Sequence, residues 1–316
     1  MIKLAASFAI VTALLSLPAS AQNWQPIQKT ADLYERGLKT SDFPRTKELA
    51  PGVYSYEALR SGNTASYMTT VSLVVVTNDG VLVADGQGSD KDTAQMVEVI
   101  KGLTPQPIKY VIVCSDHGDH TNGNAAFKAA YPDVVFVSSQ ASQKVMASKP
   151  NPPTETVADK RVIKMGKTNI EVLNLGRAHT GGELTVYVPA GKVLFLGEVY
   201  FHRLFPAMRT AFPSEWLATI KRAQAMNANW VIPGHGFVDD QQTMKDELEE
   251  YRKSLEYVVG EAKRLHDAKV PCVSATDCEA AVKAHWGPYA SWSLKYGQEG
   301  LDTFRVYQEL DGQLPK

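Results

Sequence analysis

Cysteine is scarce in this chain, net charge is nearly absent, and long apolar runs are confined to one end. Against 33 Lys and Arg stand 34 Asp and Glu over 316 residues, a formal net charge of −1. No dense basic block or basic stretch interleaved with aromatics occurs, so the electrostatic footprint of a nucleic-acid binder is missing and no nucleic-acid partner is expected. Internal repeats and low-complexity linkers are also missing, which excludes solenoids and tethered arrays. The single long apolar run, residues 4–17, follows Lys3 and precedes Ala19-Ser20-Ala21, the small-x-small pattern of a signal peptide cleaved before Gln22. That run is shorter than the roughly 20 residues a bilayer-crossing helix needs. The expected mature chain therefore has no membrane span and resides in the periplasm or outside the cell.

The three cysteines read differently from one another. Cys272 and Cys278 lie in a loop containing Pro and Asp; an oxidising compartment favours their pairing, two free thiols being the competing arrangement. Cys114 ends an apolar strand, and period-2 alternation turns it away from the face of Ser115, so it reads as a small buried hydrophobe.

What is present alternates strand and helix patterns. SYMTTVSLVVVT and GVLVAD form two β-branched strands around the turn Asn78-Asp79-Gly80, and DKDTAQMVEVIKGL follows with helical spacing. YVIVC, VVFVSS, RVIKM, IEVLNL, LTVYVP and KVLFLGE add strands, with a helical NAAFKAAY between the first two. Beyond Pro213 the pattern turns helical: SEWLATIKRAQAMN, the strand WVIPGH, and a long amphipathic stretch over residues 241–269 with Leu248, Tyr251, Leu255 and Val258 on one face. The expected organisation is a signal peptide over residues 1–21, an N-terminal arm over 22–50, and one catalytic domain over 51–316 with a helical C-terminal part.

Ligand-type side chains recur after apolar strands. SDHGDH, residues 115–120, places His117, Asp119 and His120 within four positions beside a strand end. His179 follows IEVLNLG in the Gly-flanked loop RAHTGGE, Glu198 follows KVLFLG, and His235 follows WVIPG. Strands of one sheet present their ends along one edge, so residues distant in sequence can converge there, and the convergence of these groups implies a metal cup.

NDGVLVADG, SDHGDHTNGN, AHTGGELTVYVP, LFLGE and VIPGHG, in that order, resemble the metallo-β-lactamase superfamily of zinc hydrolases. The resemblance implies an α/β, metallo-β-lactamase-like αββα sandwich of two packed β-sheets with outer helices. It assigns His117 and His179 to one metal position and Asp119, His120 and His235 to the other. Glu198 stands where many members carry a bridging aspartate, and Ser115 stands where the HxHxDH signature has its first histidine. A neutral hydroxyl is a poor zinc ligand beside imidazole. Two occupancies follow: one zinc at the Asp119, His120, His235 position, with His117 and His179 orienting water or substrate, or two ions with the first position completed otherwise. Asp85, at the end of GVLVAD, is implied to orient a ligand, a turn-forming role being its alternative.

Other histidines have plainer readings. His202, His266 and His285 match no motif and are expected to be solvated, although His202 is near enough in sequence to Glu198 to line the cleft. Trp216 reads as core, and Gly181-Gly182 and Pro233-Gly234 as tight turns. The implied activity is hydrolysis of a small-molecule carbonyl substrate, a lactam, lactone or ester, by hydroxide that zinc makes available. Asp119, His179 and His117 are the candidate catalytic groups. The alternative is a weakly active or non-catalytic periplasmic accessory protein of the same fold. Oligomeric state is not legible in the sequence.

Overall fold

A β-branched run, Thr69–Thr77, lies at the middle of the architecture. It is seen in a computed structural model that describes residues 30–60, 68–282, 287–294 and 297–315; the expected signal peptide and His285 lie outside the described residues. In chain order the strands and helices are β1 (Arg45–Ala50), β2 (Val53–Leu59), β3 (Thr69–Thr77), β4 (Gly80–Ala84), α1 (Asp90–Leu103), β5 (Ile108–Ile112), α2 (Gly118–Thr121) and α3 (Asn124–Ala130). There follow β6 (Val135–Ser139), α4 (Gln140–Met146), β7 (Glu155–Val157), β8 (Lys160–Met165), β9 (Thr168–Leu173), β10 (Thr185–Val188) and β11 (Val193–Phe201). The C-terminal part comprises α5 (Pro213–Ala225), β12 (Trp230–His235), α6 (Gln241–Asp267), α7 (Ala275–Val282) and α8 (Glu299–Leu310).

Two sheets result. One runs β1-β2-β3-β4-β5-β6-β7 and the other β12-β11-β10-β9-β8, and they join where β3 meets β12 through the pair Thr70 and His235. β3 and β4 close as a two-residue hairpin, Thr77 opposite Gly80. Alternation assigns the faces. Leu73 and Val75, Leu82 and Ala84, and Ile112 and Cys114 point into the core shared with β9, β10 and β11. Val74, Val81, Val83 and Val111 point outward against Met96, Val97 and Ile100 of α1 and Phe127 of α3. On the far side α5 and α6 cover β11 and β12. This is the αββα sandwich, and the fully buried Cys114 lies in its core.

Local chemistry sets the helix starts. Ser89 accepts the Asp92 amide ahead of α1, and Asp240 accepts those of Gln242 and Thr243 ahead of α6, satisfying amides that have no partner within the helix. The described part of the 22–50 segment packs onto the domain: β1 pairs antiparallel with β2, and Arg36 pairs with Asp239 at 2.9 Å. Elements with no strong pattern of their own, β1, β2, β7, α4, α7 and α8, complete the fold. Cys272 and Cys278 are disulfide-bonded. No helix among the described residues is long and apolar enough to cross a membrane.

β11 and β12, which carry Glu198 and His235, approach closely. A Cβ built on Gly234 of β12 would stand 2.6 Å from the carbonyl carbon and 2.8 Å from the oxygen of Gly197, and 3.0 Å from the Glu198 amide. All three atoms are backbone, so nothing flexible can yield. Gly234→Ala is expected to separate β11 from β12 at a cost of about 1–3 kcal/mol and to displace Glu198 and His235 together. Thermal unfolding of the purified variant checks this; an unchanged midpoint would show that the strands tolerate the extra atom.

Candidate metal centre

Four chain segments reach the join between the sheets. His117 immediately precedes the single turn α2, which carries Asp119 and His120. His179 lies in the loop after β9, and His235 ends β12. Glu198 sits inside β11 where the pairing with β12 is irregular. Gly197 there takes φ +52°, a left-handed conformation that turns the following side chain out of the ladder.

These loops are fastened from outside. The Ser142 hydroxyl of α4 donates to Asp116 Oδ2 at 2.9 Å and the Ser139 hydroxyl to the Gly182 carbonyl at 2.8 Å, tying the His117 loop to the His179 loop. The buried Glu183 carboxylate accepts the amides of Ala178 and Thr180, shaping the AHTGGE turn. Asp85, at φ +61°, accepts the Cys114 amide at 2.7 Å through Oδ1, and its Oδ2 lies 3.1 Å from His120 Nδ1.

The outer contacts select the tautomers. A carbonyl only accepts, so His235 Nδ1 donates to Thr69 O at 2.8 Å and His179 Nδ1 donates to Ala207 O at 2.6 Å. His120 Nδ1 is engaged by Asp85, and the Nε2 atoms of all three rings point inward, those of neutral His235 and His179 carrying lone pairs. His120 Nε2 faces His235 Nε2 at 3.2 Å, and His179 Nε2 faces His117 Nδ1 at 3.2 Å. Glu198 Oε1 lies 3.3 Å from His235 Nε2, 3.5 Å from His179 Nε2 and 3.7 Å from His120 Nε2, while Oε2 lies 3.0 Å from His117 Nδ1. Asp119 Oδ2 is 3.3 Å from His235 Nε2. Ring nitrogens and carboxylate oxygens therefore crowd together, an arrangement that calls for positive charge among them, as protons on the rings or as a metal ion.

Two donor sets emerge, Asp119, His120, Glu198 and His235 in one and His117, His179 and Glu198 in the other, each with its ligand atoms within 4.8 Å of one another. Glu198 belongs to both. Ser115 belongs to neither: its buried hydroxyl donates to Glu198 Oε2 and accepts the His117 amide at 3.2 Å. The mixed imidazole and carboxylate sets fit a divalent metal such as zinc, and orienting contacts of the kind made by Asp85, Thr69 and Ala207 are what metal-ligating histidines require.

Protons respond to the same field. Burial disfavours a charged His120, but Asp85, then Glu198 and Asp119, outweigh it and hold the ring's pKa up at about 10. His179 goes the other way, burial depressing it to about 4. Burial alone would raise Glu198, yet His179, His117, His235 and His120 hold its carboxyl well below the ordinary value.

A cleft of about 300 Å³ opens over this cup, with Phe201, Met68 and Leu301 among its apolar lining and Arg60 and Arg209 among its polar lining. The Trp216 ring stands 5.5 Å from that of His179, fully buried, and its indole N–H donates to Val199 O at 2.8 Å, so it supports the site from the core. His202 is neither solvated nor in the cleft. It is buried with Nδ1 against Phe237 O and Nε2 3.9 Å from Asp239, because the backbone pairing of residue 202 with His235 directs the side chain behind the site. His266 is half-buried, 3.0 Å from Asp311. The two arginines had no motif to announce them; only the fold brings them to the cleft.

In chelator-treated protein the His120 ring should titrate near 10 and that of His179 near 4, against an ordinary value of 6.5. Because His120 is raised, its stabilising contribution is complete below about pH 6.5 and is lost as pH rises through about 10. Because His179 is depressed, the unfolded chain takes up a proton that the folded one refuses, so stability falls as pH drops from about 6.5 toward 4. Imidazole NMR and pH-dependent unfolding measure both, and a His120 ring titrating at 6.5 would contradict its pairing with Asp85.

Comparison with known proteins bears on the whole arrangement. The metallo-beta-lactamase type 2 of Bacillus sp. (strain 170) is 25% identical over 175 residues, covering 53% of this chain and 67% of the relative. The hydroxyacylglutathione hydrolase of Brucella anthropi is 23% identical over 197 residues, covering 60% and 74%. The solved metallo-beta-lactamase from Pontibacter korlensis superposes with a TM-score of 0.59 at 22% identity, covering 66% of this chain and 98% of its own; at that identity it speaks for the fold. A family model described as the metallo-beta-lactamase superfamily matches residues 67–235, more than half of the chain. The chain belongs to the metallo-beta-lactamase superfamily.

Proposed function

We propose that this chain is an exported, zinc-dependent hydrolase that attacks the carbonyl of a lactam, lactone or ester with water. The observation that carries the reading is the pair of donor sets sharing Glu198, their acceptor atoms turned toward one another. Asp119, His120 and His235, with Glu198, hold one zinc tightly, and His117, His179 and Glu198 form the weaker position. The inequality follows from Ser115, whose hydroxyl is spent on Glu198 and supplies no imidazole. Export is supported by the pattern over residues 1–21 and by the Cys272–Cys278 bridge, a bond suited to an oxidising compartment.

Zinc, when bound, supplies Lewis acidity that lowers the pKa of water from about 15.7 toward 7 and polarises a carbonyl. The protein's own groups do the rest. The Asp119 carboxylate orients the attacking water and accepts its proton, held ionised by His120 and His235 against the effect of burial. His179, with Nδ1 committed to Ala207 O, offers only a lone pair to the cleft and serves as a ligand rather than a donor to a developing oxyanion. His117 is raised above its ordinary value by Glu198 despite burial and can carry a proton when its position holds no metal. Phe201 and Met68 exclude water from one wall.

The zinc-loaded mature protein should hydrolyse at least one member of a panel of a chromogenic cephalosporin, a lactone and 4-nitrophenyl acetate. Chelation should abolish turnover and zinc restore it, and Asp119→Asn should lower kcat by about a hundredfold or more. Turnover that survives chelation would remove the metal from the mechanism. A zinc-loaded protein inert on the whole panel would instead favour the accessory role.

A further inference from the structure

A single peptide unit stands between the metal cup and the C-terminal helix α8. Its carbonyl, that of Ala207, accepts His179 Nδ1 at 2.6 Å, and its amide, that of Met208, donates to Asp302 Oδ1 at 2.7 Å. The bond is trans, so its C=O and N–H point in opposite directions from one rigid plane. The imidazole of His179 and the carboxyl group of Asp302 therefore grip the same plane from its two sides. Two hydrogen bonds and one conjugated amide connect them.

Asp302 has little else to hold. It is fully buried, and its Oδ2 meets no hydrogen-bond partner among the described residues. Burial pushes its carboxyl well above the ordinary value, and the Met208 amide is the contact that opposes the rise. A buried carboxyl with one oxygen unpaired costs stability that an apolar side chain on the same helix face would not. General bracing of the loop does not require it either. Arg305 of α8 donates to the carbonyls of Thr210 at 3.2 Å and Ala211 at 2.7 Å, and the Thr210 hydroxyl and Phe212 amide donate to the carbonyls of His179 at 3.1 Å and Ala178 at 2.9 Å. Asp302 is the contact that addresses the Ala207–Met208 plane itself. It comes from α8, Glu299–Leu310, beyond residue 235 where the family match ends.

We propose that Asp302 is a positioning residue for His179: by holding the Ala207–Met208 peptide plane it fixes the Nδ1–H tautomer and aims the Nε2 lone pair into the cup, a carboxyl–peptide–imidazole relay. Its purpose rests on the metal reading of the cup and not on hydrolysis. Without an acceptor for the Met208 amide the plane is free to rotate, the Ala207 carbonyl leaves Nδ1, and either ring nitrogen can carry the proton. A proton on Nε2 removes the lone pair that a metal needs. Linked hydrogen bonds also polarise one another, so an acceptor on the amide makes the carbonyl oxygen a stronger partner for Nδ1–H and Nε2 a better ligand. His120 meets its carboxylate directly, with Asp85 at 3.1 Å; His179 has one a peptide away.

Two measurements on the full-length mature protein test this, comparing the wild type with Asp302→Asn, Asp302→Leu, Asp302→Ala and Arg305→Gln. Asn keeps an oxygen acceptor for the Met208 amide. Leu and Ala remove it, one filling the space and one leaving it, so either serves if the other does not fold. Arg305→Gln loosens the same loop without touching the plane. In the first measurement, nitrogen NMR of the His179 ring is recorded in chelator-treated protein in neutral solution. Wild type, Asp302→Asn and Arg305→Gln should show a protonated Nδ1 and a bare Nε2, whereas the Leu and Ala variants should show the two resonances drawn together as tautomers mix. In the second, zinc is titrated in competition with a chromophoric chelator. The dissociation constant of the weaker ion should rise about tenfold or more in the Leu and Ala variants and by less than about threefold in Asp302→Asn, with the tighter ion unchanged. His179 resonances that are the same in wild type and the apolar variants overturn the relay, as does an Arg305→Gln variant that mixes the tautomers equally, since Asp302 would then be one brace among several. If the tautomer follows Asp302 while no lactam, lactone or ester is hydrolysed, the hydrolase reading fails and the relay stands.

Discussion

The site depends on one electrostatic constraint: imidazole nitrogens and carboxylate oxygens are crowded around one buried point, where their lone pairs repel unless a proton or a metal ion lies between them. His120 Nε2 and His235 Nε2 are held 3.2 Å apart, both turned toward Glu198. Left to themselves these acceptors would repel. They are kept in place by Asp85 behind His120 and the Thr69 carbonyl behind His235. Only a cation relieves the arrangement, a proton on His120 in the metal-free protein or a metal shared by the set.

The fold is shaped to deliver that constraint. β3 and β12 meet through Thr70 and His235, so the residue that closes the sandwich also belongs to a candidate donor set, and the neighbouring Thr69 carbonyl fixes its tautomer. Gly234 lets β12 approach the backbone of Gly197, and Gly197 turns Glu198 inward. Glu198 and Ser115 act as a pair. The position that the resemblance reserves for a histidine holds a hydroxyl that grips the longer carboxylate and aims Oε2 at His117. Where the resemblance would place an imidazole, the hydroxyl thus holds a carboxylate beside His117.

Much of this was legible in the sequence where local pattern and chemistry agree. The helix read over DKDTAQMVEVIKGL is α1, Asp90–Leu103, because its cap, first-turn acids and apolar spacing all point the same way. Strand alternation placed Cys114 in the core, and the family resemblance grouped His117 with His179 and Asp119 with His120 and His235, groups that the fold brings close together, each with Glu198. β1 and β2 were not legible, since their strand character comes from pairing with each other and with β3 rather than from an alternation of their own. Nor was the second role of α8. Asp302 and Arg305 reach the loop of Arg209 only through tertiary packing, and no spacing records a contact across 94 residues. His202 misled because nearness in sequence to Glu198 does not fix the direction of a side chain on a strand that bends.

The central claim is that a cation belongs at two unequal positions joined by Glu198. Anomalous diffraction from zinc-soaked crystals, collected on both sides of the zinc absorption edge, tests it directly. The account predicts a strong peak among Asp119, His120 and His235 and a weaker or partial one between His117 and His179. Equal peaks at full occupancy would contradict the inequality attributed to Ser115, and no peak at either position would contradict the metal centre itself.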